Sequence, residues 1–150
     1  MIGGDRPPEA LGRYTGFLLN WIGARSREAF TAALDKVGLR LQQFAVMSMI
    51  AAEPGQTQQG LVESTRVDPS TMVQTLDALE AAGLAERRPH PTDRRKRAIY
   101  LTADGMKLLT RARRAAGTMG DEVFSALDAD ERAQLNALLR KAAGLEPEKP

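Results

Sequence analysis

The sequence predicts a mainly α-helical fold with a small β-wing, that is, a winged helix-turn-helix with N- and C-terminal dimerisation helices. Three observations support this prediction. An amphipathic helix with clear start and stop signals follows a shorter helical segment, two short strands around a basic turn come next, and long helical patterns lie at both ends of the 150-residue chain. Two short helices joined by a tight turn and followed by a hairpin are typical of this fold class.

The central amphipathic helix begins at Asp68 and is stopped by Gly83. The Asp68 carboxylate can accept a hydrogen bond from a free backbone N–H of the first turn, which makes it a good N-cap. Pro69 suits the first helical position, where its missing N–H costs nothing. Gly83 readily adopts the left-handed conformation that commonly follows a helix. Three apolar residues at helical spacing predict the buried stripe, namely Met72, Leu76 and Leu79.

The outward face of this helix is predicted to be small, polar and almost uncharged. Ser70, Thr71, Gln74 and Ala78 form it, since they lie roughly opposite the buried stripe at about 100° per residue. A solvated helix face normally carries Lys and Glu. A face without them suits close approach to another polar surface.

The first long helix is predicted from about residue 10 to residue 34, with Gly38 closing it. Polar residues are few between Tyr14 and Ile22, so this part of the helix is apolar on more than one face. Such a helix must pack on more than its own domain core. We expect the second packing partner to be another subunit.

Two further helices lead to the central one. The first is predicted over residues 41–52 and stops at Pro54-Gly55, and the second is short and N-capped by Thr57. Residues 64–67 are then predicted to connect the short helix to the cap at Asp68. This connection makes the tight turn of the helix-turn-helix.

The segment after the central helix is predicted to be a hairpin. Residues 84–88 and 98–101 read as antiparallel strands, with Ile99 and Leu101 alternating with more exposed positions, and residues 89–93 have the composition of a turn. Two helices follow the hairpin. One is capped by Thr102 or Asp104 and continues to about residue 127, and the last opens at Asp128 or Asp130.

Positive charge is concentrated in the hairpin segment. Residues 84–102 hold six basic and two acidic side chains, whereas residues 1–83 hold seven basic and nine acidic ones and residues 103–150 hold eight of each. Such concentration indicates a binding site for a polyanion. A solvated charge run is the usual alternative for an Arg cluster in isolation, and the adjacent capped helix argues against it.

Length and composition narrow the functional classes. We expect one domain, or one domain plus an oligomerisation element. No stretch is apolar enough to span a bilayer and the N-terminus lacks the regions of a signal peptide, so a cytoplasmic location without membrane contact is expected. The absence of cysteine excludes disulfides and thiolate metal sites. His90 is the only histidine, and no nucleophile–base or metal-ligand pattern is present, so we expect no enzyme activity, cofactor or metal.

From about residue 11 to residue 143 the sequence resembles the MarR family of bacterial transcription regulators. The most specific segments are VDPSTMVQTLDALEAAGLAERRP and PTDRRKRAIYLTADG. The wing signature of the family, an Asp and an Arg two positions apart followed shortly by Leu-Thr, falls on Asp93, Arg95, Leu101 and Thr102. Its register after a capped helix, a glycine stop and a strand makes the resemblance specific.

The resemblance implies a single domain with two functional parts. Residues 38–102 would form the DNA-binding lobe, and residues 10–36 and 103–144 would form the dimerisation helices of a homodimer. Each subunit would place its recognition helix in the major groove of double-stranded DNA and its wing tip in the minor groove.

The chemistry of the side chains agrees with these contacts. Gln74 has the geometry for bidentate pairing with adenine, and Arg95 suits the negative potential of a narrow minor groove. Asp93 would orient Arg95 by a charge-assisted hydrogen bond, and the pair would also stabilise the wing as a structural element. The other expected DNA contacts are Thr57, Gln58, Ser70, Thr71 and Thr75, with Arg94, Lys96 and Arg97 assigned to phosphates.

The sequence departs from the family pattern at three places. Gln74 and Ala78 stand where many relatives carry an Arg, so base readout is expected to rely on Gln74. Gly60 replaces a common acidic residue and weakens its helix by about 1 kcal/mol relative to Ala. Thr65 and Arg66 replace a Leu-Gly turn, and a left-handed Arg66 would cost roughly 1–2 kcal/mol.

The leading hypothesis is a dimeric repressor that a small molecule releases from its operator. The family often binds aromatic, anionic compounds between its dimer helices and DNA-binding lobes, and the resemblance suggests Phe17, Trp21, Arg25 and Phe44 as lining residues. For Trp21 a place in the core or the dimer interface is the alternative. A ligand-independent regulator and a winged-helix protein-interaction module are the competing functions.

Overall fold

The computed structural model describes residues 6–65, 67–93 and 95–145, without the side chains of residues 119–121. A short 3-10 turn, Glu9–Leu11, precedes six α-helices and two β-strands in the described chain. No helix in these ranges combines the length and the apolar character needed to cross a lipid bilayer. In chain order the elements are α1 Thr15–Asp35, α2 Leu41–Ala52, α3 Gln58–Thr65, α4 Pro69–Ala81, β1 Ala85–Pro89, β2 Arg97–Leu101, α5 Ala103–Val123 and α6 Ala129–Ala142.

The chain divides into two compact units. The first combines the N-terminal residues up to Ser26 with the C-terminal residues from Thr118 onward, and the second is Arg27–Gly117. The second unit contains α2 to β2 and a continuous apolar core. The three residues predicted for the buried stripe of α4 belong to this core, together with Leu34, Leu39, Met47, Ile50, Leu61, Ile99 and Leu109.

The predicted start and stop of α4 are confirmed. Asp68 Oδ2 accepts a hydrogen bond from the backbone N–H of Thr71 at 2.9 Å, and Pro69 is the first helical residue. The hydrogen bond from the Ser70 hydroxyl, followed by that from the Thr71 backbone, lowers the pKa of the Asp68 carboxyl. At the other end Gly83 has a φ of 69°, which is in the left-handed region. The N–H of Leu84 donates to the Leu79 carbonyl at 2.9 Å and closes the helix.

Helices α2 and α3 begin as predicted. Helix α2 has the predicted bounds, and Thr57 Oγ1 accepts from the N–H of Gly60 at 3.1 Å as the N-cap of α3. The predicted connection over residues 64–67 was wrong in its first half, because α3 continues through Thr65. The hydroxyls of Ser64 and Thr65 donate to the Leu61 carbonyl at 3.2 and 2.6 Å, which satisfies that carbonyl within the last helical turn. Arg66 lies outside the described residues.

The long helices differ from prediction at one end each. Instead of one helix from residue 10, the 3-10 turn ends at Leu11 and α1 starts at Thr15. The backbone between them makes turn bonds that span three residues, such as the one from the Tyr14 N–H to the Leu11 carbonyl at 3.1 Å. Gly38, with a φ of 74°, closes α1 as predicted. Helix α5 ends at Val123, four residues before the predicted end, and the chain then turns into α6.

Thr102 and Asp128 are the N-caps of the last two helices. Thr102 Oγ1 accepts from the N–H of Gly105 at 3.0 Å, which decides between Thr102 and Asp104 for α5. Asp128 accepts from the N–H of Glu131, and Glu131 accepts in return from the N–H of Asp128, both at 2.9 Å. This reciprocal pair is a capping box and places the start of α6 at Asp128.

Strand β2 is covered on both edges. It pairs antiparallel with β1, each strand lying close to its predicted bounds, and its other edge bonds to the segment before α3. There the N–H of Ile99 donates to the Gln56 carbonyl and the N–H of Gly55 donates to the Ile99 carbonyl, both at 2.9 Å. Ala98 and Ile99 are both buried, so the predicted alternation was wrong. A bridge from Thr57 to Ala98 makes β2 the central strand between β1 and the segment before α3. Its neighbours therefore cover the small Ala98 side chain as well.

The free edge of the hairpin belongs to β1. The N–H and carbonyl of Ile99 both bond to the segment before α3. Ile99 and its partner Arg87 therefore form a non-hydrogen-bonded pair, in which the N–H of Arg87 points away from β2. Glu80 Oε1 accepts from that N–H at 3.0 Å. Pro89 has the same orientation two residues further on, where its missing N–H leaves no ladder bond unmade.

Three elements of the second unit meet at Gly83–Leu84. The Gly83 carbonyl accepts from the Thr102 hydroxyl at 2.7 Å, and the Leu84 carbonyl accepts from the Thr102 N–H at 3.0 Å. Gly105 packs directly on this junction, because a Cβ added there would collide with the Leu84 carbonyl oxygen. The end of α4, the start of the hairpin and the first turn of α5 are therefore fixed to one another by backbone contacts.

The first prediction concerns this junction. Gly105→Ala should lower the free energy of unfolding by roughly 1–3 kcal/mol, because backbone atoms of Leu84 cannot swing aside for the new methyl group. Gly117→Ala in the same helix is the control, since a Cβ there meets nothing within 4 Å. Helix propensity should make it neutral or stabilising by up to about 1 kcal/mol. Urea unfolding measures both, and a Gly105→Ala protein as stable as the wild type would contradict the close approach.

The second prediction concerns the cap of α4. Asp68→Asn keeps a capping oxygen but removes the titrating charge. The folded pKa of Asp68 lies below its ordinary value of 3.8, so the charge stabilises the fold fully above that pH and the stabilisation is lost as the pH falls through the lowered pKa. The wild type should therefore be more stable than the variant at pH 7, and the difference should shrink progressively as the pH falls below 3.8. A difference that does not shrink over that range would contradict the assignment.

Candidate nucleic-acid interface

The outward face of α4 is exposed as the sequence analysis expected for Ser70, Thr71, Gln74 and Ala78. Gln74 makes no hydrogen bond within the described part of the chain, so both its amide groups are available to a ligand. Val73 beside it is 37% exposed and presents an apolar side chain that the sequence analysis had not singled out. An amide and a branched methyl surface side by side can read the edges of adenine and the methyl group of thymine.

Thr75 does not belong to this face, and its assignment as a DNA contact was wrong. It is only 7% exposed, and its hydroxyl donates to the Thr71 carbonyl at 2.7 Å within the helix. The reason is helical spacing, since Thr75 follows Met72 by three residues and precedes Leu79 by four and so lies on the buried stripe.

The hydroxyl groups of Ser70 and Thr71 are already engaged. Both donate to Asp68 Oδ2, at 2.5 and 3.2 Å. In this arrangement they offer lone pairs to a ligand, and donation to a phosphate requires each hydroxyl to turn away from Asp68. The N-terminal turn of α4 is thus a compact polar surface arranged around one carboxylate.

A charged residue, Asp77, also lies on this side of α4. Asp77 follows Ser70 by seven residues, which is close to two helical turns, and it is three residues from Gln74. The expectation of an almost uncharged face was therefore incomplete. Arg87 of β1 accounts for this charge, because its guanidinium bonds Asp77 Oδ1 at 2.9 Å and also bonds Glu80 Oε2.

The wing tip is organised by Asp93 through backbone contacts. Asp93 Oδ1 accepts from the backbone N–H of Arg95 at 3.0 Å, and the Asp93 carbonyl accepts from the N–H of Lys96 at 2.9 Å. The N–H of His90 closes the turn on the Lys96 carbonyl at 3.1 Å. The Asp93 carboxylate was predicted to bond the Arg95 guanidinium, but it bonds the Arg95 backbone N–H instead. A carboxylate reaches an N–H two residues later in a turn without any need to order a long side chain. Of the two roles expected for the pair, the structure shows the stabilisation of the wing, which Asp93 provides through the backbone N–H of Arg95.

Positive charge in the hairpin is not evenly available. Arg87 is paired with α4, while Arg88 is paired with Glu86 and lies over the Tyr100 ring, 4.8 Å from its centroid. The side chains of Arg95, Lys96 and Arg97 are exposed and form no ion pair within the described residues. Arg94, also assigned to phosphates, lies outside the described residues. The accessible charge is therefore concentrated at the tip.

The N-terminus of α3 carries the remaining predicted contacts. Thr57 is half-buried, caps α3 and bridges to Ala98 of β2. Gln58 is half-buried at the first position of the helix. The hydroxyl of Thr57 is thus occupied in the fold, and the Gln58 amide is the better placed of the two for a ligand.

The candidate effector residues fall into the two units. In the first unit Phe17 and Trp21 stack with ring centroids 6.2 Å apart, and Arg25 is exposed on the same helix. Trp21 is 8% exposed, which agrees with the alternative that it is a core residue. Its buried indole N–H has no hydrogen-bond acceptor among the described residues. In the second unit Phe44 packs edge-on against Phe30 at 5.3 Å.

The first unit also exposes large apolar side chains. On α1 these are Leu19 and Ile22, within the segment that was predicted to need a second packing partner, and Tyr14 precedes them. On α6 they are Leu138 and Leu139. Large apolar side chains exposed at neighbouring positions of a helix are more typical of an interaction surface than of a solvated one.

Within the described residues no three His, Asp or Glu side chains are grouped in a way that could hold a metal ion.

Comparison with known sequences identifies relatives over most of the chain. The sequence profile of the MarR family matches residues 37–96. The transcriptional regulator HosA of Escherichia coli O111:H- is 34% identical over 99 residues, which are 66% of this chain and 73% of HosA. The HTH-type transcriptional repressor Rv2887 of Mycobacterium tuberculosis is 31% identical over 126 residues, which are 84% of this chain and 91% of the repressor.

Solved structures of related proteins share the fold. CouR, a transcriptional repressor bound to a 23-mer DNA duplex, superimposes with a TM-score of 0.80 at 30% identity, covering 93% of this chain and 99% of CouR. CouR from Rhodococcus jostii RHA1 bound to p-coumaroyl-CoA gives a TM-score of 0.76 at 28% identity, covering 95% and 100%. Sequence identity at this level over nearly the whole length, together with the winged helix-turn-helix fold, shows that this chain belongs to the MarR family of transcriptional regulators.

Proposed function

We propose that this protein is a homodimeric repressor that binds double-stranded DNA through α4 and the wing tip. The observation that carries the proposal is the pairing of two surfaces in one unit. Helix α4 presents a small face with the unengaged Gln74 amide, and the exposed cations Arg95, Lys96 and Arg97 lie on the adjoining hairpin. Cations supply affinity through phosphates, and the amide supplies sequence preference through base edges.

The division of labour within the chain follows from the same surfaces. Residues 38–102 would act as the DNA-binding lobe, and residues 10–36 and 103–144 would hold two copies together through the exposed apolar side chains of α1 and α6. Two copies related by symmetry would contact half-sites about one turn of duplex, ~34 Å, apart. The related repressor Rv2887 has been crystallised in complex with DNA, which supports this proposal.

Release by a small molecule is the second part of the proposal. The ligand would be aromatic and anionic, and Phe17, Trp21, Arg25 and Phe44 are the residues proposed to contact it. The buried Trp21 N–H without an acceptor and the p-coumaroyl-CoA bound to CouR support this part. The measurement is displacement of bound operator DNA by aromatic acids and their coenzyme A thioesters. The protein would carry out no catalysis and would act in the cytoplasm.

The third prediction identifies the residue that reads sequence. DNA bound by the wild type and by Gln74→Ala should be selected from the same random pool. The wild type should enrich a palindromic site in a salt-dependent manner, and the variant should lose the preference at one adenine per half-site, at a cost of about 1–3 kcal/mol for that base. Absence of any enriched site for the wild type would overturn the proposed function. Equal weakening on all sequences would reassign Gln74 to a backbone contact.

The fourth prediction concerns the wing tip. Arg95→Ala should weaken binding to the selected site while leaving the thermal unfolding of the dimer unchanged, because the side chain is exposed and the turn is held by the Arg95 backbone N–H rather than by its guanidinium. If Arg95 enters a narrow minor groove, the loss should be greater on sites with A-tracts at the wing position than on G·C-rich ones. If Arg95→Ala binds the selected site at physiological salt as tightly as the wild type does, Arg95 has no role in the minor groove.

A further inference from the structure

We propose that Arg87 supports DNA binding without touching DNA, by reducing the negative charge that two carboxylates of the recognition helix present beside its DNA-reading face. This inference rests on the proposed function. The residues concerned are Arg87 of β1 with Asp77 and Glu80 of α4, named here the Arg87 cluster. In the sequence Arg87 counts among the six cations of the hairpin segment, which suggests a phosphate contact. The geometry of the cluster assigns it another role.

The cluster has three contacts across the gap between α4 and β1. The guanidinium of Arg87 bonds Asp77 Oδ1 at 2.9 Å through one nitrogen and Glu80 Oε2 through another, while the backbone N–H of Arg87 donates to Glu80 Oε1 at 3.0 Å. Glu80 is thus held at both oxygens by one residue of the hairpin. The Arg87 side chain is 23% exposed, so most of it is shielded from solvent.

Asp77 is the member that needs neutralising most. It lies on the same side of α4 as Ser70 and Gln74, and its side chain is 58% exposed. A carboxylate in that place would approach the phosphates of any duplex that Gln74 reads, and like charges at such distances repel. A guanidinium already bonded to Asp77 and to Glu80 weakens this repulsion, because it reduces the formal charge of the cluster from −2 to −1.

The neighbouring arginine provides a natural comparison. Arg88 carries the same charge one residue further along β1, but it pairs with Glu86 of its own strand and lies over Tyr100. Removing Arg88 therefore costs the same formal charge without exposing a carboxylate of α4. The two arginines separate loss of positive charge in general from the neutralisation proposed for Arg87.

The test measures affinity for the selected DNA site at several salt concentrations. Arg87→Ala should weaken binding at least tenfold, and Arg88→Ala less than threefold. The triple variant Asp77→Asn, Glu80→Gln, Arg87→Ala should return to within about threefold of the wild type, because it has no carboxylate left to neutralise. The slope of log affinity against log salt should be the same for the triple variant and the wild type, whereas loss of a phosphate contact lowers it by about 0.9.

A second measurement needs no DNA. Glu80→Ala removes the acceptor of the Arg87 amide, so hydrogen exchange at that amide should accelerate at least tenfold in the free protein. Unchanged exchange would show that the cluster is not held in solution and would overturn the inference. The inference would also be overturned by a triple variant that binds as weakly as Arg87→Ala, or by a salt slope of the triple variant that is smaller than that of the wild type. In both cases the wild type still binds DNA, so the proposed function would stand. A wild type without salt-dependent DNA binding would overturn both.

Discussion

The backbone contacts of Gly83–Leu84 fix the position of every element that we assign to DNA. The N–H of Leu84 closes α4, its carbonyl and that of Gly83 hold Thr102, and Gly105 lies against it without room for a side chain. Each contact uses atoms that all residues possess, yet the arrangement requires a left-handed residue at Gly83 and a missing Cβ at Gly105. The recognition helix, the hairpin and α5 of the second unit consequently share one reference point.

Electrostatics in the second unit is a matter of which charges remain available. The hairpin has a marked excess of cations in the sequence, but the two arginines of β1 are both engaged, one with α4 and one within the strand. The accessible charge is left at the wing tip, where the side chains of Arg95, Lys96 and Arg97 form no ion pair within the described residues. Affinity for phosphates and recognition of bases are therefore assigned to separate surfaces, and the paired arginines lie between them.

The sequence predicted those parts of the fold that depend on local chemistry. The cap at Asp68, the stop at Gly83 and both ends of α2 follow from signals a few residues long. Apart from the start of α1 and the ends of α3 and α5, the errors concern contacts between distant segments or small differences in helical phase. Thr75 is a polar residue whose helical phase places it on the buried stripe. The segment before α3 pairs with the edge of β2 opposite β1 through Thr57 and Ala98, which are far apart in the chain.

The candidate site was predictable in outline for the same reason. Exposure of Gln74 and of the turn cations follows from helical phase and turn composition, which are local. The contact of Arg87 with Asp77 and Glu80 joins a strand to the preceding helix, and no spacing rule in the sequence distinguishes Arg87 from Arg88. One clue was present, since Asp77 follows Ser70 by two helical turns and a carboxylate on that face calls for a partner.

The outer edge of β1 has a consequence for how the protein behaves in concentrated solution. An open strand edge invites a strand from another molecule, which is a common start of aggregation. Here the outward N–H of Arg87 is already taken by Glu80, and Pro89 offers no N–H at the next outward position. The edge therefore lacks consecutive donors for an incoming strand, and an exposed two-stranded hairpin can project from the protein without recruiting further copies into a growing sheet.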